Sequence, residues 1–198
     1  MSERNTVLRS LHDVGLAAWF GGALMGAVGL NGAARDEGGT WATTARIASS
    51  GWAKWTPVNA AAIGAHLVGS SGLLAANAAR VVGQQGVATS TVVKTALTGA
   101  ALAATAYSRV LGKKIELAAS SDPQDAEKAA KHPIDTDKAQ RHLSFMQWSV
   151  PALTGGLLIL NALHGEQQRP TEQLHGMWQR ARSLAPHMPS APDWHLMR

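Results

Sequence analysis

The feature that most constrains this chain is a run of 21 residues without a charged side chain, from Val14 to Ala34. The hydrocarbon core of a bilayer is about 30 Å thick, and roughly 20 mostly apolar helical residues span it. A soluble amphipathic helix of that length carries a charged face, which this run lacks. The run therefore predicts a transmembrane helix. It is also longer than the apolar region of a signal peptide, so we expect it to be retained.

Three further stretches approach the same length and composition, and the charged residues collect between them. They lie at about 55–79, 92–111 and 143–163. The middle one is the weakest, because Lys94 and Arg109 lie near its ends and must extend toward the two interfaces. A soluble alanine-rich bundle is the alternative. We expect an all-α polytopic membrane protein, in which residues 1–165 form a four-helix transmembrane domain with a polar loop at 112–142.

Tryptophan side chains mark the predicted membrane interface between the first two spans. Trp41, Trp52 and Trp55 fall on one stripe of a helix, with alanines completing the spacing. Tryptophan is enriched where a bilayer meets water, and a helix with one apolar stripe can lie in that plane. We therefore expect a short interfacial amphipathic helix here, anchored by these three side chains.

Two more short helices are predicted outside the spans. Asp122 precedes Pro123 in the polar loop, which is typical of a capped helix N-terminus. The polar C-terminal tail, 166–198, contains an apolar stripe that includes Trp178. This stripe predicts a second interfacial helix at about 171–185, with Trp178 as its anchor.

The first span contains a seam of small residues at alternating spacings of three and four. Its members are Gly15, Trp19, Gly22, Gly26 and Gly29. Helices associate in lipid where small residues allow their backbones to approach, so this seam predicts a close helix contact. The seam is either a face that binds a partner protein or a packing surface within the chain's own bundle.

Polar residues line one side of the second span, and His66 is the ionisable one among them. From its position in the stretch 55–79, His66 should lie near the middle of the membrane. Ionisable residues are rare there and are usually functional, so His66 is a candidate functional residue. It is a candidate for a proton relay or a haem ligand, and otherwise a neutral imidazole bonded to a neighbouring helix. Because His12 should lie at an interface, no second histidine is expected at the same depth, which argues against haem within one copy.

The fourth span supplies candidate partners for this polar line. Pro151 leaves the Gln147 carbonyl without its helical hydrogen bond, and we expect that carbonyl at the depth of His66. The candidate intramembrane polar site then comprises Asn59, His66, Ser70, Thr105, Gln147 and Thr154.

Several functional classes are disfavoured by what the sequence lacks. It has no cysteine, which excludes disulfides and thiolate chemistry, and no Asp or Glu inside any predicted span, which argues against an ion-coupled transporter. Common catalytic and nucleic-acid-binding motifs are missing. The net charge of +5 fits a membrane surface better than nucleic acid. We expect no catalytic residues, no cofactor, no metal site and no nucleic-acid partner.

The stretches "LHDVGLAAWFGGALMGAVGLNGA" and "FMQWSVPALTGG" resemble the uncharacterised small four-helix integral membrane proteins of high-GC actinobacteria. The resemblance implies a multi-pass protein of the plasma (inner) membrane and raises the expectation of an accessory subunit. Basic residues on the two sides of four spans number 8 and 10, which does not decide orientation. The lack of a signal peptide favours cytoplasmic termini.

The sequence therefore favours a non-enzymatic accessory or scaffolding subunit of a larger membrane complex, in envelope transport or respiration. Its partners would be other integral membrane proteins and the bilayer, with docking through the glycine-rich face of the first helix. One alternative is a small transporter or lipid-binding protein with a polar cavity around His66. A third hypothesis is a membrane anchor for haem or another redox group.

Overall fold

A computed structural model describes residues 5–78 and 85–167, with backbone only for 85–87 and 164–167. All regular structure in these residues is helical. We number the helices α1 (Thr6–Met25, π-helical Gly26–Leu30 and Asn31–Gly38), α2 (Trp41–Ala76), α3 (Gln85–Ala119), α4 (Pro123–Lys131) and α5 (Thr136–Gln167). The all-α prediction is confirmed for the described residues. The predicted interfacial helix at 171–185, with Trp178, lies outside them. The chain divides into two compact units, Met1–Leu158 and Ile159–Arg198, and the contacts below are within the first.

Three helices in the described part of the chain are long and apolar enough to cross a membrane. They are Thr6–Gly38, Trp41–Ala76 and Thr136–Leu163, and they indicate a membrane protein. Helix α3 contains the predicted span 92–111 but is not among the three. Several charged residues lie along this helix, namely Lys94, Arg109, Lys113 and Lys114.

Helix α2 corrects the predicted division between an interfacial helix and a second span. Thr40 caps its N-terminus, with its Oγ1 accepting a hydrogen bond from the Thr43 N–H at 3.3 Å. From there one continuous helix of 36 residues runs through Pro57. Pro57 removes one backbone hydrogen bond, but Trp52 and Trp55 just before it pack on α1. That packing holds the helix together across the proline.

Glycines let the backbones of α1 and α2 touch at two places. A Cβ placed on Gly15 would stand 2.5 Å from both the Ala62 carbonyl oxygen and the His66 nitrogen. A Cβ on Gly69 would collide with the His12 backbone in the same way. Both contacts are backbone contacts that no side-chain movement can relieve. They fix the register in which the two helices pair.

The main hydrophobic core joins α1, α3 and α5. Its buried members are Leu16, Trp19, Ala23, Ala101, Ala104, Val150 and Leu157. Trp19 is fully buried, and its Nε1 donates to the Thr105 hydroxyl at 3.2 Å. A second cluster of Leu111, Ile115 and Ala139, packed against Ala45, Ile134 and Leu143, lies farther along α3. Helix α3 therefore packs along the bundle and extends past the predicted end of its span at residue 111.

A π-helical turn in α1 corrects the predicted glycine seam. With regular helical spacing the seam continues from Gly26 to Gly29. The π turn at Gly26–Leu30 inserts an extra residue and rotates the remainder of the helix. The inward positions then become Ala27 and Asn31, both buried, while Gly29 is exposed. Gly29, the last member of the predicted seam, therefore lies outside the buried contact between α1 and α2 and lines an open groove beside it.

The helix predicted in the polar loop is confirmed as α4. The Asp122 carboxylate accepts a hydrogen bond from the Gln124 N–H at 2.8 Å, and Pro123 occupies the first turn. A hydrogen bond from Ser120 and the neighbouring Lys128 ammonium lower the pKa of the Asp125 carboxyl, which stays ionised in the first turn of α4.

Candidate functional site

A histidine cluster of His12, Asp13 and His66 lies between α1 and α2. His66 is only 2% exposed, and its Nδ1 donates to the His12 carbonyl oxygen at 3.2 Å. The two imidazole rings lie 4.6 Å apart, centroid to centroid. The His12 Nδ1 donates to the Asp13 carboxylate at 2.7 Å. The His66 Nε2 is buried and has no hydrogen-bond partner among the residues that the structure describes.

This cluster contradicts the predicted difference in depth between His66 and His12. The sequence predicts His66 at mid-membrane and His12 at an interface, but their rings are in contact. The reason is the helix register, because Gly15 and Gly69 pair the middle of α2 with the N-terminal part of α1. His66 therefore lies level with Asp13, whose side chain is 57% exposed. No short pattern in the sequence signals this register directly.

A second polar cluster lies at the other end of the helix pair. The Asn31 Nδ2 donates to the Gln147 Oε1 at 2.8 Å, and the Trp52 Nε1 donates to the Asn31 Oδ1 at 3.0 Å. Trp52 precedes His66 by 14 residues on α2, which corresponds to about 21 Å of helix. The prediction that Gln147 lies at the depth of His66 is therefore wrong. Asn31 was missed, although an amide near the end of an otherwise apolar run is a detectable signal.

The remaining members of the predicted polar site also lie in separate contacts. Thr105 accepts from Trp19 and donates to the Ala101 carbonyl oxygen at 2.8 Å. Thr154 is fully buried and donates to the carbonyl oxygen of Val150, one turn earlier.

The other two residues of that set lie on α2. Ser70 is half-buried, and the Oδ1 of Asn59 is buried without a partner in the described part of the chain. The six predicted residues therefore do not converge on one site.

The glycine seam of α1 is filled in part by α2 of the same chain. The Trp55 ring packs directly on Gly22, and the Trp52 ring packs on Gly26. These two indoles are therefore half-buried helix contacts as well as predicted interfacial anchors. Trp41, the third predicted anchor in this region, remains 51% exposed.

Beside these contacts an apolar groove of about 330 Å³ remains partly open. We call it the Trp–Gly groove; it is lined by Gly22, Met25, Gly26, Gly29, Leu30, Gly51, Trp52 and Trp55. A Cβ on Gly29 would meet only the side chain of Met25, at 3.6 Å, among the described residues. The buried Trp55 Nε1 has no hydrogen-bond partner among the described residues. The groove is thus a place where the described packing of α1 on α2 is incomplete.

No family model, curated protein or solved structure matches the chain. Across residues 5–78 and 85–167, no group of three or more His, Asp or Glu side chains is arranged to hold a metal ion. What the structure offers is a tightly paired α1 and α2, internal polar contacts at two depths, and the Trp–Gly groove.

Proposed function

We propose that this protein is a non-enzymatic accessory subunit of a larger membrane complex. A transmembrane helix of another integral membrane protein docks in the Trp–Gly groove. The groove itself is the observation that carries the proposal, because it is an apolar gap beside a helix pair that otherwise packs backbone to backbone.

The composition of the groove supports a helix as its occupant. Gly22, Gly26, Gly29 and Gly51 all line it. Helix association in lipid gains little from burying large apolar side chains and depends on close van der Waals approach over small residues. The two indoles at its side offer flat surfaces against which a partner helix packs.

The exposure of the spans also supports a docking role. Within the most apolar window of each candidate span, only 33% (α1), 17% (α2) and 22% (α5) of residues are buried inside the chain. The other residues of each window keep some exposed surface, on which a helix of a neighbouring protein can pack.

The polar residues favour this role over the two alternatives. A transporter with a polar cavity around His66 needs its polar side chains to converge, but Gln147 and Thr105 serve separate contacts. A haem held between His12 and His66 needs the two imidazoles on opposite faces of the iron, each with a ring nitrogen about 2 Å from it. The two rings are instead in direct contact, with their centroids 4.6 Å apart.

We further propose that α3 also crosses the membrane, which gives four spans in the plasma membrane with both termini on the cytoplasmic side. Ala101 and Ala104 of α3 pack in the same core as Trp19 and Leu157, so this helix lies alongside the spans. Its uncharged segment between Lys94 and Arg109 measures about 22 Å. The side chains of these two residues extend that length by reaching toward the interfaces.

Filling the groove tests the docking proposal. Gly29→Leu projects a side chain into the groove with little cost to the fold, because only Met25 lies near among the described residues. The matched control is Gly21→Leu on the same helix, where a Cβ meets nothing within 4 Å in the described chain and which does not line the groove. Gly22 and Gly26 are unsuitable for this test, because their substitution would displace Trp55 and Trp52.

Blue-native electrophoresis of gently solubilised membranes gives the readout. We expect a complex larger than the monomer for the unmodified chain and for Gly21→Leu, and its loss for Gly29→Leu. A monomer in all three samples, or a complex that Gly29→Leu leaves intact, contradicts the proposal. A phospholipid that is retained by the purified monomer and lost in Gly29→Leu supports the lipid-binding alternative instead.

A further inference from the structure

We infer that the helix docked in the Trp–Gly groove carries an Asp or Glu side chain within the membrane, and that this carboxylate forms an ion pair with Lys54. The inference rests on the docking proposal and adds the chemistry by which the partner is recognised. It is carried by the depth at which the structure places Lys54 and by the face of α2 on which this residue lies.

Lys54 lies level with the middle of the first predicted span. The ring of Trp52, two residues before it, packs on Gly26 of α1. The ring of Trp55, one residue after it, packs on Gly22. Each of these glycines is eight residues from the nearer end of the uncharged run of α1, which corresponds to about 12 Å of helix. The sequence alone places Lys54 at the edge of the second predicted span instead.

Lys54 also lies beside the groove. It follows the lining residue Gly51 by three positions, and residues three apart on a helix are neighbours on one face. Val58, the next residue along that face, is 49% exposed. Lys54 is exposed as well. A helix that docks in the groove therefore has the side chain of Lys54 within its reach.

The described chain offers Lys54 no acidic residue at this depth. The uncharged run of α1 and the whole of α2 contain no Asp or Glu, and α3 and α5 carry them only near their ends. The ion pairs of the described residues are at His12–Asp13 and within α3 and α4. Across residues 5–78 and 85–167, the Lys54 ammonium therefore has no ion-pair partner.

An ammonium group at this depth favours a carboxylate on the docked helix. Ionisable side chains within membranes are costly and usually pair with one another. In the isolated chain, Lys54 lowers that cost by extending toward the nearer interface. A docked helix without an acidic residue would cover the charge and leave it unpaired, whereas a carboxylate neutralises it where the low dielectric strengthens the attraction.

The ion pair also gives the groove selectivity. The groove is otherwise lined by apolar and small residues, and lipid tails are as apolar as such a surface. Apolar contact alone therefore discriminates weakly among transmembrane helices. A single buried charge rejects every helix that cannot neutralise it.

Removing the charge at two matched positions tests the pair. Lys54→Met removes the ammonium and keeps an unbranched side chain, and Lys54→Arg keeps the charge. Arg46→Met is the control, because Arg46 is also basic and exposed on α2. It lies two residues after Thr44, which packs on Gly38 beyond the uncharged run of α1.

Blue-native electrophoresis of gently solubilised membranes compares these variants. We expect Lys54→Met to lower the ratio of complex to monomer about thirtyfold or more. Lys54→Arg and Arg46→Met should retain the complex. The purified monomers should share one melting temperature, because Lys54 makes no ion pair within the described chain.

A zero-length crosslink identifies the acidic residue. Dicyclohexylcarbodiimide enters membranes and activates carboxyl groups, which then form an amide with a neighbouring amine. In native membranes it should join Lys54 to one Asp or Glu in a transmembrane segment of another protein, identified by mass spectrometry. Lys54→Arg should retain the complex and lose this product. Lys54→Asp should abolish the complex, and a lysine substituted for that acidic residue of the partner should restore it.

The outcomes separate this inference from the docking proposal. If the unmodified chain forms no complex, docking itself fails. If Gly29→Leu abolishes the complex and Lys54→Met leaves it intact, docking stands and the ion pair is overturned. Equal loss of the complex in Lys54→Met and Arg46→Met, or a crosslink from Lys54 to a carboxylate of its own chain, also contradicts the ion pair.

Discussion

The α-carbon of Gly15 lies so close to the backbone of His66 that a single added methyl group would stand 2.5 Å from the His66 nitrogen. This one relationship sets the register of α1 against α2. It brings His66 to the level of His12 and places Trp55 and Trp52 over Gly22 and Gly26. The histidine cluster and the Trp–Gly groove are both consequences of it.

Gly15→Ala should therefore destabilise the helix pair by about 1–3 kcal/mol, the usual cost of overpacking a tight contact. The colliding atoms belong to the α2 backbone, so no side chain can move aside. Thermal unfolding in detergent measures the effect. Gly64→Ala on α2 is the control, because a Cβ there meets nothing within 4 Å in the described chain. An unchanged melting temperature for Gly15→Ala would refute the close approach.

Trp52→Phe should lower the free energy of unfolding by about 1–3 kcal/mol. The hydrogen bond from the indole N–H to Asn31 is lost, and a phenyl ring does not reach the place of the distal indole carbons that pack on Gly26. A double-mutant cycle with Asn31→Ala isolates the pairwise contribution. Trp41→Phe, at the exposed start of the same helix, should be close to neutral. A coupling energy of zero would mean that Trp52 and Asn31 do not interact.

The four-span topology predicts which positions share a side of the membrane. Because the chain has no cysteine, single substitutions can be labelled without background. Asp36→Cys and Ser121→Cys should react from one side, and Asn5→Cys from the other. Membrane-impermeant maleimide applied to intact cells and to inverted vesicles distinguishes the sides. Labelling of Ser121→Cys together with Asn5→Cys would show that α3 does not cross.

Much of the fold could be predicted from short patterns of residues in the sequence. The uncharged run from Val14 predicts α1, and the Asp122–Pro123 pair predicts the start of α4. Each signal acts within a few residues along the chain. Local physics is enough to locate such elements.

The site could not be predicted as well, because it depends on how helices pair. Regular spacing assigns Gly29 to the inward face of α1, but a π turn of five residues moves Asn31 there instead. Similarly, the tryptophan stripe predicts a separate interfacial helix, whereas α2 continues from Trp41 through Pro57 as one helix, with Trp52 and Trp55 packed on α1. Register and helix rotation are set by tertiary contacts, and a single sequence does not encode them in any short pattern.

Photo-crosslinking from the Trp–Gly groove in native membranes tests the docking account most directly. A photoreactive residue at Met25, which lines the groove, is compared with one at Val14, which is also exposed on α1 but lies outside it. We predict that Met25 crosslinks to one transmembrane segment of one membrane protein, identified by mass spectrometry, and that Gly29→Leu abolishes this product. Crosslinks to lipid alone, or the same products from Met25 and Val14, would contradict the account.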